Sequence, residues 1–554
     1  MQRRKFLQLT GFSTAGFLFT RFDPLSGSQL DTIRLPDSVS VRCSGEWIPL
    51  QESGGNWKMK DILVKFSYAG NSLSLVVNAP NQALEFIKCS WRQSKPSANI
   101  KYLGDHWERS YGDLSWESGP SNRKAPWYML ISDGEKTQGF GVKTGTNSIC
   151  YWQVETDSME LLMDTHSGGS GVLLGDRSLH AADIITIKNL VGENPFHTDI
   201  RFCKMMCEKP QLPAKPVYGI NDWYFAYGNN SRELILETTR MMADLVTDWS
   251  NAPFSVIDMG WSAKPAKSNE EYCWGDDFTR GNEKFGDMST VSSDIKKLGM
   301  QPGLWYRPLQ ANAKDNPKLL IPVRQDQKDI KERYLDPTIP ENLKSISDTI
   351  QLYKTWGFKM VKHDFSSYDI FGRWGFEMDA QRTVEPWSFQ DRTKTNAEII
   401  LKLYQTLRKA AGDIYLIGCN TFSHLSAGIF ELNRIGDDTS GNEWARTLKM
   451  GVNTLGFRLP QHNNFYAADG DCVGLTTKVP WAKNKQWLEL LAESSAPLFI
   501  SAQPEALGLD QKESIKMSFA KAAKVQPLAE PLDWMSNPRP AEWKLNSRIV
   551  HFDW

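Results

Sequence analysis

Short runs of alternating or β-branched hydrophobic residues, separated by turn residues, fill the chain from about residue 28 to residue 205. Residues 62–67, 72–77 and 184–187 are examples, and turn pairs such as Asp133-Gly134 separate such runs. Alternation with a period of two is typical of strands that have one buried face. The pattern predicts a many-stranded β-sandwich domain over residues 28–205.

The hydrophobic pattern changes after a proline-dense segment, residues 206–216, which contains Pro210, Pro213 and Pro216 and is predicted to be a stiff linker. Beyond it, amphipathic segments with apolar residues every three or four positions predict helices. These segments are 231–249, 288–298, 341–356, 395–411 and 485–493. Between and around them, apolar runs predict strands at 254–257, 301–305, 358–361, 414–417, 429–432 and 497–500.

A strand–helix alternation sustained from residue 217 to residue 505 predicts parallel βαβ units. Its length favours a (β/α)8 TIM barrel, with residues 218–223 as the first strand and a stretch near 451–456 as the seventh. Residues 506–554 are too few to form an independent domain, and we expect a short C-terminal appendage on the barrel.

Composition indicates a globular protein with uncharged partners. Of 554 residues, 40% are hydrophobic and the formal net charge is −1, so no general basic surface exists to hold nucleic acid or an anionic membrane. The 21 tryptophans carry flat indole faces that suit sugar rings as well as protein cores.

The N-terminus has the layout of a signal peptide, predicted over residues 1–22. Arg3 and Arg4 precede a mostly apolar stretch, residues 6–20, that is too short and too polar to span a bilayer. The run RRKFL at residues 3–7 resembles the twin-arginine export signal and predicts export to a bacterial periplasm. No A-x-A cleavage site is evident, so retention of the signal as a membrane anchor stays open.

Cysteine and histidine patterns predict neither a disulfide scaffold nor a metal site. Eight cysteines in 554 residues are too sparse for a disulfide framework. Cys203 and Cys207 have no second Cys/His pair nearby, and no H-E-x-x-H pattern occurs. We therefore expect no metal and no cofactor.

The residues that follow the predicted barrel strands are carboxylates, cations and indoles, at the strand ends where barrel enzymes place their reactive groups. They are Asp222-Trp223, Asp258 with Trp261, Trp305 with Arg307, Lys362 with Asp364, Cys419-Asn420, and Arg434 with Asp437-Asp438. Glycoside hydrolysis requires one ionised carboxylate at the anomeric carbon and a second, protonated one at the leaving oxygen.

Asp364 is the predicted nucleophile. Residues two apart on a strand face the same side, so Lys362 would favour the charged form of the Asp364 carboxyl. Asp437 and Asp438 are adjacent, and two close carboxylates disfavour simultaneous ionisation, so we expect one of them to stay protonated near neutrality as the general acid.

Six motifs resemble those of the α-galactosidase clan, glycoside hydrolase families 27 and 36. They are WERSYGDLSW at 107–116, VIDMGW at 256–261, GLWYRP at 303–308, VKHDF at 361–365, RIGDD at 434–438 and SAPLFIS at 495–501. Most are short, but they follow the order of family 36 and span nearly the whole chain after the signal.

The resemblance implies a retaining exo-hydrolase that releases a terminal α-linked galactose, or a close galactose-configured sugar, from oligo- or polysaccharides by double displacement. Asp364 would be the nucleophile and Asp438 the acid/base. The predicted substrate-binding residues are Asp258, Lys362, Arg434, Trp223, Trp305, Trp261, Arg307, Cys419 and Asn420. The family also permits a homo-oligomer.

Two departures from the family pattern keep other substrates open. Met259 stands where family 36 usually has a second aspartate for the sugar's 4- and 6-hydroxyls, and Cys419-Asn420-Thr421 replaces a glycine-rich C-x-x-G-G pattern. The alternatives are a β-L-arabinopyranoside or an α-N-acetylgalactosaminide as substrate, transglycosylation in the manner of raffinose synthases, and a non-catalytic carbohydrate-binding protein.

Overall fold

The computed structural model describes residues 33–93, 99–119, 124–263, 277–311, 315–327 and 332–554. The signal peptide predicted at residues 1–22 lies outside the described residues, so export stays a prediction. Within the described ranges, we find no helix with the length and apolar character needed to cross a membrane.

The N-terminal region is rich in antiparallel strands, as the alternating pattern predicts. One sheet contains Ser38–Cys43, Glu46–Pro49, Ala83–Arg92, Ala125–Pro126, Ile149–Val154, Ser158–Asp164, His166–Ser167 and Ser170–Leu173. The other contains Gln51–Ser53, Asn56–Met59, Ile62–Ala69, Ser72–Asn78, Lys101–Gly104, Glu117–Ser118, Tyr128–Ser132, Thr137–Val142 and Leu179–Lys188. Side chains of the two sheets meet in one core, where the rings of Phe140 and Trp152 lie 5.9 Å apart.

A helix, Pro195–Met206, ends this region, and the side chain of Asn194 caps it by accepting a hydrogen bond from the backbone N–H of His197. Residues 207–217, which overlap the predicted linker, form no helix or strand.

The rest of the chain is built on one parallel sheet. In chain order its strands are Tyr218–Asn221, Phe254–Ile257, Gln301–Tyr306, Met360–His363, Tyr415–Gly418, Leu432–Arg434, Ala467–Asp469, Cys472–Leu475 and Leu498–Ala502. The first six pair in sequence, the seventh pairs with the sixth, and the ninth lies between the first and the eighth. The seventh and eighth strands stand at the two ends of the sheet, yet only Gly470 and Asp471 separate them in sequence.

Helices connect these strands close to the predicted positions. The longer ones are Arg232–Ala243, Met288–Lys297, Pro340–Trp356, Asn396–Ala411, Trp481–Glu493 and Leu509–Ala522, and the shorter ones are Trp223–Ala226, Ser366–Phe371, Ser423–Ser426, Trp444–Thr447 and Thr454–Arg458. Local sequence explains the start of one of them: Thr395 and Glu398 form a reciprocal capping box at the N-terminus of Asn396–Ala411.

The seventh predicted strand, near residues 451–456, is wrong. This stretch is helical, with a π-helix at Leu448–Asn453 followed by Thr454–Arg458. Its residues are all buried, and so short a stretch does not distinguish a buried helix from a strand. The strands that occupy this place in the sheet, Ala467–Asp469 and Cys472–Leu475, are interrupted by a Gly-Asp pair that is typical of a turn.

The C-terminal residues add a three-stranded antiparallel sheet, Glu530–Pro531, Glu542–Leu545 and Arg548–His551. It is joined to the preceding helices through buried Glu493, which pairs with Lys521 at 2.6 Å and with Arg548 at 2.8 Å.

Candidate active site

A cavity of about 150 Å³ lies where the strands of the parallel sheet end. Ten side chains line it: Arg109, Trp223, Asp258, Met259, Trp305, Lys362, Asp364, Phe365, Trp374 and Asp438. Three carboxylates and two cations thus share one small space with three indole rings. The cavity brings together both predicted catalytic residues and four of the predicted binding residues.

The carboxylate of Asp364 follows the fourth strand and is held by two N–H donors. The indole Nε1 of Trp305 donates to Oδ2 at 3.0 Å, and the backbone N–H of Phe365 donates to Oδ1 at 2.8 Å. Phe365 has a φ of 65°, a left-handed conformation that costs a non-glycine residue about 1–2 kcal/mol. The chain therefore carries local strain where it fixes the orientation of this carboxylate.

Asp258 and Lys362 form a buried ion pair in the cavity wall. The Nζ of Lys362 lies 2.6 Å from Oδ2 of Asp258, which also accepts a hydrogen bond from Nδ2 of Asn221 at 2.7 Å. Burial alone would lower the pKa of Lys362, but the carboxylate of Asp258 raises that pKa well above its ordinary value. The lysine is therefore charged, and the pair offers a cation and an anion to ring hydroxyls.

Replacing Lys362 by methionine should destabilise the protein strongly, because it leaves the charge of Asp258 buried without its partner. Loss of one member of a buried pair costs about 3–5 kcal/mol in the free energy of unfolding. Urea unfolding at neutral pH measures this loss in the free energy of unfolding. The exposed pair of Lys344 and Asp348 supplies the control, and Lys344→Met should leave the unfolding midpoint unchanged. Equal midpoints for both variants would contradict the importance of the buried pair.

Asp438, the predicted acid/base, lies close to two guanidinium groups. Its Oδ1 is 3.1 Å from Nη2 of Arg434 and 3.7 Å from Nη1 of Arg109, and its side chain is 34% exposed. Burial would raise the pKa of Asp438, but the charges of Arg434 and Arg109, with a smaller effect from Lys362, lower it below its ordinary value.

The expectation that one of Asp437 and Asp438 stays protonated near neutrality rests on repulsion between their carboxylates, but the structure places cations beside both of them. The carboxylate of Asp437 pairs with Arg109 and Arg446, each at 2.7 Å, and does not line the cavity. Arg434 thus pairs with Asp438, Arg446 pairs with Asp437, and Arg109 contacts both carboxylates.

Two predicted binding residues, Arg434 and Cys419, do not line the cavity but contact the lining residues Asp438 and Arg109. Arg434 is buried and also pairs with Asp471 at 2.9 Å. The Sγ of Cys419 lies 3.7 Å from a guanidinium nitrogen of Arg434 and 3.7 Å from one of Arg109. Burial raises the pKa of the Cys419 thiol, and the nearby Asp364 carboxylate raises it further, so the thiol is neutral.

Three other predicted binding residues do not line the cavity. Each contacts a lining residue or the neighbour of one. The Nε1 of Trp261 donates to the backbone carbonyl of Trp305 at 2.9 Å. Arg307 is buried, pairs with Asp369 at 2.7 Å, and lies 4.4 Å from the ring of Phe365. The remaining one, Asn420, donates from Nδ2 to Oε2 of Glu108 at 2.6 Å.

Sequence reasoning missed three lining residues: Arg109, Phe365 and Trp374. Arg109 lies within the WERSYGDLSW motif, so the resemblance contained a signal for it. Trp374 lies in a loop after the fourth strand, where no periodic pattern singles it out. Within the described ranges, no three His, Cys, Asp or Glu side chains are grouped so that they could hold a metal ion.

The chain has the fold of the α-galactosidases of glycoside hydrolase family 36. No protein-family model matches the sequence, and no curated protein matches it either. The likeness is therefore one of three-dimensional structure.

Among solved structures, TtGalA, an α-galactosidase from Thermus thermophilus in complex with p-nitrophenyl α-D-galactopyranoside, superposes with a TM-score of 0.61 and 15% identity, over 93% of this chain and 99% of that chain. A GH36 α-galactosidase AgaA variant from Geobacillus stearothermophilus in complex with raffinose gives 0.60 and 12%, over 92% and 79%. The galactosidase domain of the α-galactosidase-sucrose kinase AgaSK gives 0.57 and 15%, over 84% and 67%.

Proposed function

We propose that this chain is a retaining exo-glycoside hydrolase that releases a terminal α-linked galactose, or a close galactose-configured sugar, from oligo- or polysaccharides. The observation that carries the proposal is that Asp364 and Asp438, which follow the fourth and sixth strands, line one cavity together with Trp223 and Trp305. The shared fold with α-galactosidases in complex with galactosides supports the substrate class.

The proposal includes the architecture that retaining barrel hydrolases use. The seventh and eighth strands are nearly continuous across Gly470-Asp471, and we take them as one interrupted strand that closes the sheet into a (β/α)8 barrel. The two antiparallel N-terminal sheets would then form the β-sandwich that packs beside it.

In the first step, a carboxylate oxygen of Asp364 attacks the anomeric carbon, and the bond from that carbon to the leaving oxygen breaks. Asp438 gives its proton to the leaving oxygen. In the second step Asp438 takes a proton from water, the water oxygen bonds to the anomeric carbon, and the Asp364 carboxylate is released. Two inversions at one carbon retain its configuration.

Substrate binding would favour the protonated form of Asp438 that the first step requires. The side chain of Asp438 is 34% exposed toward the cavity, so a bound sugar removes the water that now solvates its charge. Loss of that water favours the neutral carboxyl. Binding of the sugar and protonation of Asp438 therefore favour each other.

A panel of 4-nitrophenyl glycosides, with α-galactoside, α-N-acetylgalactosaminide and β-L-arabinopyranoside side by side, tests the proposal. We expect turnover of the α-galactoside, with product analysis on raffinose separating hydrolysis from transfer to a second sugar. Inert chromogenic substrates, together with unchanged oligosaccharide binding by variants at residues 364 and 438, would support a non-catalytic carbohydrate-binding protein instead.

One observation favours a second candidate substrate, a β-L-arabinopyranoside. The thioether of Met259 lines the cavity beside Asp258, where a sugar with a 6-hydroxyl would need a polar partner. A hydrogen bond to a charged acceptor is worth about 1.5–3 kcal/mol. A pentopyranose lacks that hydroxyl and loses nothing by facing a methionine.

Met259→Asp tests the second candidate. If the arabinopyranoside is the better substrate of the wild type, the variant should shift the kcat/KM ratio toward the α-galactoside by about tenfold or more. Met259→Leu is the apolar control and should keep the wild-type ratio. A wild type that prefers the α-galactoside would contradict this candidate.

A further inference from the structure

A short N-terminal segment, Glu108-Arg109-Ser110, is hydrogen-bonded to the stretch of chain that carries the acid/base. The backbone N–H of Ser110 donates to the carbonyl of Ile435 at 2.8 Å, and the N–H of Asp437 donates to the carbonyl of Ser110 at 2.7 Å. These bonds form a parallel bridge between Ser110 and Gly436. The segment is therefore hydrogen-bonded to residues 435–437, which lie between the sixth strand and Asp438.

Glu108 anchors the same segment to two more loops. Its fully buried carboxyl group accepts hydrogen bonds from the backbone N–H of Gly375 at 2.8 Å, from Nδ2 of Asn420 at 2.6 Å and from the hydroxyl of Ser367. The loops after the fourth, fifth and sixth strands are thus all tied to this segment. Arg109, between the two anchors, has little freedom to move.

The guanidinium of Arg109 reaches the catalytic cavity from this fixed position. Arg109 is 6% exposed, with Nη2 at 2.7 Å from Oδ1 of Asp437 and Nη1 at 3.7 Å from Oδ1 of Asp438. Its Cζ lies 5.5 Å from the ring of Trp374. A residue more than 300 positions away in sequence is therefore part of the surroundings of the acid/base.

We propose that Arg109 is a positioning residue for Asp438: the docked segment 108–110 holds the guanidinium against Asp437 and Asp438, and this fixes the place and the protonation of the acid/base. The inference rests on the proposed function. By this inference, the strand-rich N-terminal region is not only a neighbour of the barrel but also contributes Arg109 to the surroundings of the acid/base.

Charged and titratable groups other than Arg109 also surround Asp438. The cations are Arg434, Lys362 and Arg446. The further titratable neighbours are Asp437, Asp364, Cys419, Tyr224, Tyr227 and Asp471. Arg434 lies closer to Asp438 than Arg109 does, so Asp438 keeps one guanidinium partner when Arg109 is lost.

Loss of the Arg109 charge should favour the neutral form of Asp438. The acid would then stay protonated to higher pH, and the descending limb of kcat/KM for a disaccharide, where the acid loses its proton, should move upward by about one to three pH units in Arg109→Met. Arg109→Lys keeps the charge and should keep the limb near its wild-type position. Its kcat should be lower, because one ammonium group cannot replace the two guanidinium nitrogens that lie against Asp437 and Asp438.

A ¹³C NMR titration of aspartate carboxyl groups, with the Asp438 signal assigned by its absence in Asp438→Asn, tests the inference without requiring turnover. We expect the Asp438 signal to titrate at higher pH in Arg109→Met than in wild type or Arg109→Lys. The same titration midpoint in all three proteins would overturn the inference, even if Arg109→Met loses activity or stability. Inert wild-type enzyme on the glycoside panel would instead count against the proposed function alone.

Discussion

Asp364→Asn is expected to lower kcat on 4-nitrophenyl α-galactoside by about 10⁴-fold or more, because it removes the nucleophile on which both chemical steps depend. An amide cannot form the ester to the anomeric carbon. Its single carbonyl oxygen can keep one of the two hydrogen bonds, from Trp305 and from Phe365, that hold the two carboxylate oxygens. Loss of one such bond costs about 1–3 kcal/mol, so the fold should survive. Steady-state kinetics and the circular dichroism spectrum measure the two effects.

Asp348→Asn is the matched control for this variant. Asp348 lies on the helix that precedes the fourth strand and does not line the cavity, and its 61% exposed side chain pairs only with Lys344 among the ion pairs of the described chain. We expect wild-type kcat from it. Substantial residual activity in Asp364→Asn, beyond wild-type contamination, would show that another group attacks the sugar.

Asp438→Ala is expected to slow the hydrolysis of a substrate more when its leaving group depends more on protonation. General acid catalysis contributes about 10²–10⁴-fold, so hydrolysis of raffinose should fall by roughly that factor. A 4-nitrophenolate leaves without much help, so the first step on the chromogenic substrate should be nearly preserved. The second step still lacks its base, and the glycosyl-enzyme should accumulate and give a burst of 4-nitrophenol.

Asp437→Asn is the control that distinguishes loss of the acid/base from a general disturbance of the residues after the sixth strand. Asp437 contacts Arg109 and Arg446 and does not line the cavity, so the variant should keep the wild-type dependence on the leaving group. A uniform loss on raffinose and on the chromogenic substrate in Asp438→Ala, without a burst, would contradict the acid/base assignment.

The central part of the architecture follows from local sequence. The apolar run that becomes Met360–His363 is followed at once by Asp364, and alternation of such runs with amphipathic helices indicates a parallel sheet with its chemistry at the strand ends. Within one strand, the spacing of Lys362 and Asp364 also predicts that both side chains reach the same cavity, as they do.

What sequence could not supply are contacts between distant segments. The proximity of Asp437 and Asp438 along the chain suggests mutual repulsion, but Arg109, contributed by the N-terminal region, and Arg434 neutralise both. Likewise, Gly470-Asp471 looks like a turn in isolation. Only the pairing of its flanking strands, Ala467–Asp469 with the sixth strand and Cys472–Leu475 with the ninth, shows that it lies between the two ends of the sheet.

Trapping of the glycosyl-enzyme tests the central claim most directly. A 2-deoxy-2-fluoro-galactosyl fluoride forms the ester and slows its hydrolysis, and peptide mass spectrometry then locates the sugar. The account predicts one added fluorosugar, on the peptide that contains Asp364, and none in Asp364→Asn. A label on any other residue, or no label from an enzyme that turns the reagent over, would contradict double displacement through Asp364.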